Sequence, residues 1–147
     1  MKANTRSTGV HDRILGTACD LFYRQGYRAT GINQVIKESG VAKASFYDHF
    51  PSKDDLLVEY VEEMSRREMA DLEEQVLSLP TAEARFFGPL EILGPWFESS
   101  QYRGCPFQNA IAEVPADDTR VHAAIRRHRE AEREFFREIA GAYVEAT

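Results

Sequence analysis

The run Lys43-Ala-Ser-Phe-Tyr-Asp-His-Phe50 carries the densest chemistry in this chain. Phe46 and Phe50 are four residues apart, so on a helix they share a face and pack inward. Lys43, Ala44, Ser45 and Tyr47 then fall on the other faces. A small residue such as Ala44 permits close approach to a base edge or a thymine methyl. Tyr47 and His49 bring a hydroxyl and an imidazole, both competent hydrogen-bond donors to phosphate. The pattern fits a short helix lying in the major groove of a duplex, with its N-terminal residues leading.

Catalytic chemistry is not encoded in any comparable way. His11, His49, His122 and His128 are scattered without HExxH spacing, and no phosphate-cradling glycine loop or Gly-x-Ser-x-Gly is present. Asp117-Asp118 pairs two carboxylates, but where a turn and helix cap are expected. Cys19 and Cys105 lack zinc-type spacing and read as two reduced thiols. The chain is therefore read as a non-enzyme, with neither cofactor nor metal.

Helices must position the 43–50 segment. Residues 1–9 show no periodicity and read as a flexible arm. Val10, Ile14, Ala18, Leu21 and Phe22 recur at helical steps until Gly26. Thr30 is expected to cap a second helix whose stripe is Ile32, Val35 and Ile36, and Gly40 stops it. Pro51 closes the third helix. Ser52 is expected to cap a long fourth helix, with Asp55 as a box-like partner. Two short helices around the Gly40 turn make a helix-turn-helix. Beyond Pro80, Thr81 caps a helix that Gly88-Pro89 is expected to break or kink. Pro106 opens a short helix to about Val114, and Pro115-Ala-Asp-Asp118 forms a turn and cap. The last helix sets Val121, Ile125, His128, Phe135, Ile139 and Tyr143 on one side. The reading is all-α: a helix-turn-helix domain over 1–54 and a helical domain over 55–147.

Charge is divided the same way. The net charge of the 147 residues is −6. Yet residues 1–52 carry seven Lys/Arg against four acids, and the remainder carries eleven against twenty. A basic end on an acidic body suits a phosphate-facing head. No apolar run reaches membrane-spanning length, and no charged-then-apolar leader opens the chain, which places it in the cytoplasm.

The stretch Phe22-x3-Gly26-Tyr27-x2-Thr30-x-Ile32-x2-Val35-Ile36-x3-Gly40-Val41-x3-Ser45-Phe46-Tyr47-x-His49-Phe50-x-Ser52-Lys53-x2-Leu56 resembles the N-terminal signature of TetR/AcrR-family regulators, covering residues 10–57. The resemblance implies a cytoplasmic transcriptional repressor that binds a palindromic double-stranded DNA operator as a homodimer and is released by a small-molecule inducer. It implies phosphate contacts for Thr30, Tyr47, His49 and Lys53, and base or nearby backbone contacts for Lys43, Ala44 and Ser45. Departures are Ile36 and Ser39 where alanine is frequent, Ala42 where a serine cap is common, and Ala44 in place of glycine or proline. In this family two more helices commonly follow the one ending here, so the chain reads as C-terminally truncated.

For the second domain the resemblance implies a ligand between the fourth and seventh helices that moves the fourth. Met64, Phe87, Trp96, Phe107 and Asn109 are the expected lining, with Asn109 the polar anchor or a turn cap. The segment from Arg103 to Glu113 also resembles the sixth helix of some members. Cys105 there is either structural or a thiol or electrophile sensor at a helix N-terminus, where a thiolate is stabilised. A helical adaptor without DNA binding is the remaining alternative.

Overall fold

The computed structural model describes residues 9–147. The arm expected over 1–9 therefore lies, apart from Gly9, outside the described residues. Seven helices account for the ordered secondary structure among them: α1 (Val10–Gln25), α2 (Ile32–Ser39), α3 (Lys43–His49), α4 (Lys53–Leu77), α5 (Ala82–Ser99), α6 (Pro106–Glu113) and α7 (Thr119–Ala146). The chain divides into two compact units between Tyr60 and Val61. The sequence boundary at 54/55 falls six residues earlier. The reason is that the first two turns of α4 belong to the first unit: Leu56, Leu57 and Tyr60 are buried, and the Tyr60 ring meets Phe22 edge-on at 5.4 Å.

In the first unit α1 buries Ile14, Leu15, Ala18, Cys19, Leu21 and Phe22, one helical face. Gly26 ends it, its N–H donating to the Phe22 carbonyl. α2 ends in a Schellman motif. The Val41 N–H reaches the Ile36 carbonyl and the Gly40 N–H the Lys37 carbonyl, with Gly40 left-handed at φ +66°. α4 starts as expected. Ser52 Oγ accepts the Asp55 N–H at 3.1 Å and donates to the Asp55 carboxylate at 2.5 Å.

One expected cap is overturned. Gly31, not Thr30, precedes α2, and no side chain caps that helix. Thr30 is fully buried; its hydroxyl donates to the Gly26 carbonyl at 2.7 Å and its N–H to the Tyr27 carbonyl at 3.3 Å. A buried carbonyl at the end of α1 must find a donor, and Thr30 supplies it.

In the second unit Val76, Phe135 and Ile139 form a buried cluster, with Met69, Leu72 and Ile92 packed against it. Thr81 and Asp118 cap α5 and α7 through their side chains, and Pro106 sits in the first turn of α6. Of the break or kink expected at Gly88-Pro89, the break does not occur: α5 runs through both Pro89 and Pro95. Gly88 serves packing instead. It is buried, and a Cβ there would collide with the Leu79 side chain. Among the described residues no helix is long and apolar enough to cross a membrane.

The two exposed glycines Gly40 and Gly16 separate turn geometry from helix propensity, because an added Cβ meets nothing within 4 Å at either. Gly40→Ala is expected to lower unfolding free energy in urea by about 1–2 kcal/mol, the cost of a left-handed L-residue. Gly16→Ala, inside α1, should raise it by about 0.5–1 kcal/mol.

Candidate functional site

α3 is only seven residues long, and its N-cap, Ala42, offers no side-chain bond. Its two phenylalanines hold it in place. Phe46 and Phe50 are wholly buried, as their spacing predicted. The opposite edge is open. Lys43, Ala44, Asp48 and His49 are exposed, Tyr47 retains 41% of its surface, and Ser45 is half-buried. The Tyr47 ring leans edge-on against Phe46 at 5.2 Å, which directs it from an anchored base.

Neighbouring elements flank this edge with cationic and imidazole groups. Lys53, at the start of α4, holds its Nζ 4.1 Å above the Tyr27 ring, a cation–π contact. The Tyr27 hydroxyl in turn donates to the Asp54 carboxylate. The ammonium of Lys53 is thus steered by the turn after α1 and by its own helix. On the other side His11 stacks on Phe50 at 5.0 Å and meets His49 edge-on at 5.8 Å, and its Nε2 lies 2.7 Å from Glu59. These contacts hold the end of α3 against α1 and α4.

Six of the seven residues expected at a DNA surface, namely Lys43, Ala44, Ser45, Tyr47, His49 and Lys53, are exposed or half-buried. Thr30 is the exception: its side chain is buried and its hydroxyl donates within the fold, to the Gly26 carbonyl. Tyr27 and His11 were missed as positioning residues. Tyr27 and Lys53 are 26 positions apart, and no local periodicity announces that pairing.

The five residues expected to line a ligand pocket in the second unit are dispersed in role. Phe107 is 1% exposed, with its ring stacked on His128 at 3.6 Å, and so is core. Asn109 donates its amide to the Arg103 carbonyl at 2.9 Å, the turn-capping role. Phe87 is exposed and meets Phe86 and Tyr143 edge-on, Trp96 meets Phe97, and Met64 is half-buried. An open cleft of about 370 Å³ lies elsewhere, lined by Glu73 and Leu77 of α4, Arg85 of α5, and Phe135, Glu138 and Ile139 of α7 among others. None of the five borders it. The two cysteines are not joined in a disulfide. Cys105 is half-buried just before α6, with the Arg129 guanidinium donating to its Sγ at 3.6 Å.

Comparison with known proteins follows the same division. Residues 14–60 match the family model for bacterial regulatory proteins of the tetR family. The HTH-type transcriptional regulator LmrA of Bacillus subtilis is 50% identical over 64 residues, covering 41% of this chain and 34% of LmrA. QacR of Staphylococcus aureus is 27% identical over 106 residues, covering 71% of this chain and 53% of QacR. Among solved structures, the TetR-family regulator SCO4454 of Streptomyces coelicolor superposes with a TM-score of 0.82 at 32% identity, over 90% of this chain and 66% of that one. The chain spans between about a quarter and a third of the first curated relatives it matches.

Thr30→Val isolates the role the fold gives that hydroxyl. The substitution keeps the shape but leaves the Gly26 carbonyl without its side-chain donor, and is expected to cost about 1–3 kcal/mol in urea unfolding. An unchanged unfolding midpoint would refute the assignment.

Proposed function

This chain belongs to the tetR family of bacterial regulatory proteins, and from that premise we propose that its first unit binds double-stranded DNA through the exposed edge of α3, as the head of a transcriptional repressor. The observation that carries this reading is the two-sided character of α3. Two phenylalanines are sealed inside, while Lys43, Ala44, Tyr47 and His49 face outward. Ala44 leaves room for a base edge, and Lys43 and Ser45 supply hydrogen-bonding groups at the leading end. Tyr47, His49 and Lys53 grip phosphates and set register.

So short a helix reads few bases. Useful specificity then requires two copies on a palindrome, with half-sites about 34 Å apart or a multiple of that. The proposed partner is therefore an operator bound by a homodimer. The second unit is proposed to receive a small apolar or aromatic inducer. The cleft beside α4, α5 and α7 falls in the size range of small-molecule sites and mixes apolar walls with charged rims, which supports this reading. Such an inducer releases DNA only if it binds the released state more tightly than the DNA-competent one. α4 runs without interruption from Lys53 to Leu77.

The test is DNA binding by fluorescence anisotropy, on duplexes selected from a randomised pool, across a salt series. Affinity should fall steeply with salt. Lys53→Ala should weaken binding to all sequences alike and lower the slope of log affinity against log salt by about 1. Tyr47→Ala should also weaken it. Affinity unchanged in both folded variants would overturn the proposal.

A further inference from the structure

The second unit gathers three ligand-type side chains that the sequence keeps apart. Glu68 lies on α4, while His128 and Glu132 lie four residues apart on α7 and so share a face. One ligand atom from each falls within 4.8 Å of the others. The His128 side chain is fully buried and its Nε2 has no hydrogen-bond partner. Glu68 Oε1 lies 3.8 Å from Nε2, too long for a hydrogen bond. A buried polar atom without a partner is costly, and this one is aimed at two carboxylates.

From this juxtaposition we infer that Glu68, His128 and Glu132 form a binding site for a divalent transition-metal ion of the zinc type. The imidazole is already held as a ligand would be. Its Nδ1 lies 3.0 Å from Ser65 Oγ, a hydrogen bond that orients the ring; in the tautomer with the proton on Nδ1, that N–H donates to the serine and the Nε2 lone pair faces the carboxylates. Phe107, stacked at 3.6 Å, fixes the ring plane. Burial pushes the His128 imidazole below its ordinary range, with Arg129 reinforcing and Glu132 opposing. Burial, then repulsion from Glu132, holds the Glu68 carboxyl above its ordinary range, against a smaller effect of Arg129. A dication between them answers all three groups at once.

The donor set selects the metal. One imidazole with two carboxylates suits zinc and its neighbours, whereas calcium and magnesium prefer oxygen alone. Tetrahedral zinc with bonds of about 2.0–2.1 Å sets its ligand atoms about 3.3 Å apart, so the cluster must tighten. Glu68 and Glu132 are only half-buried and can turn inward. Arg129 bonds Glu132 Oε2 at 2.9 Å, and a carboxylate has a second oxygen to give. This site is independent of the DNA reading.

The experiment titrates the metal-free full chain, without DNA, with zinc chloride by calorimetry, and with cobalt(II) by visible absorption. One equivalent is expected, with excess magnesium failing to compete. Glu68→Gln and Glu132→Gln, each confirmed as folded by circular dichroism, should weaken zinc binding at least about 10-fold. Ser65→Ala should weaken it about 10-fold through loss of the ring's support. Zinc should also shift the His128 ring resonances in the proton–nitrogen spectrum. Absence of a stoichiometric site, or zinc affinity unchanged in both glutamine variants, would overturn the inference.

Discussion

The burial of Phe46 and Phe50 is the constraint on which the first unit depends. A seven-residue helix is far below the length at which an isolated helix persists in water, about 12–15 residues. α3 has neither a side-chain cap nor enough turns to help itself. It exists because two aromatic rings, one turn apart, are wholly withdrawn from solvent. The exposed edge is then a by-product of the buried one. Every outward group on α3 takes its direction from the two rings, and Tyr47 is fixed further by leaning on Phe46. Stability and recognition are therefore written on the same eight residues, 43–50, on opposite faces.

Much of this was legible in the sequence because it is local. Helix periodicity, the glycine stop at Gly40, the Ser52 cap and Pro106 in a first turn each depend on residues within a few positions. The spacing of Phe46 and Phe50 likewise announced which face of α3 goes inside. Thr30 was misread for an instructive reason. A threonine just before a helix looks like a cap, but a buried carbonyl one turn earlier competes for the same hydroxyl and wins. Pairings across long separations, Lys53 with Tyr27 and His11 with Glu59, leave no periodic trace.

The second unit was less readable. Aromatic residues between helix breaks suggested a pocket, yet Phe107 is core, Asn109 restrains a turn, and the open cleft is lined from other positions. Aromatic residues fill space wherever helices meet, so composition cannot separate a wall from a filling. His128 was read as one member of an apolar stripe, and in burial it is. What that reading could not see is that α4 presents Ser65 and Glu68 to the two ring nitrogens. The absence of metal-ligand spacing along the chain says little about ligands contributed by two helices.

Gly88 has a mechanical side. Leu79, in the connection before α5, seats its side chain on the bare backbone of Gly88, where a Cβ would push the leucine methyl aside. That contact works like a pawl in a notch. A shift of α5 along or about its axis would bring a neighbouring Cβ under the leucine, which would then have to swing aside. The leucine therefore records the position of α5 along its own axis, and any sliding of that helix is coupled to a change in the Leu79 side chain.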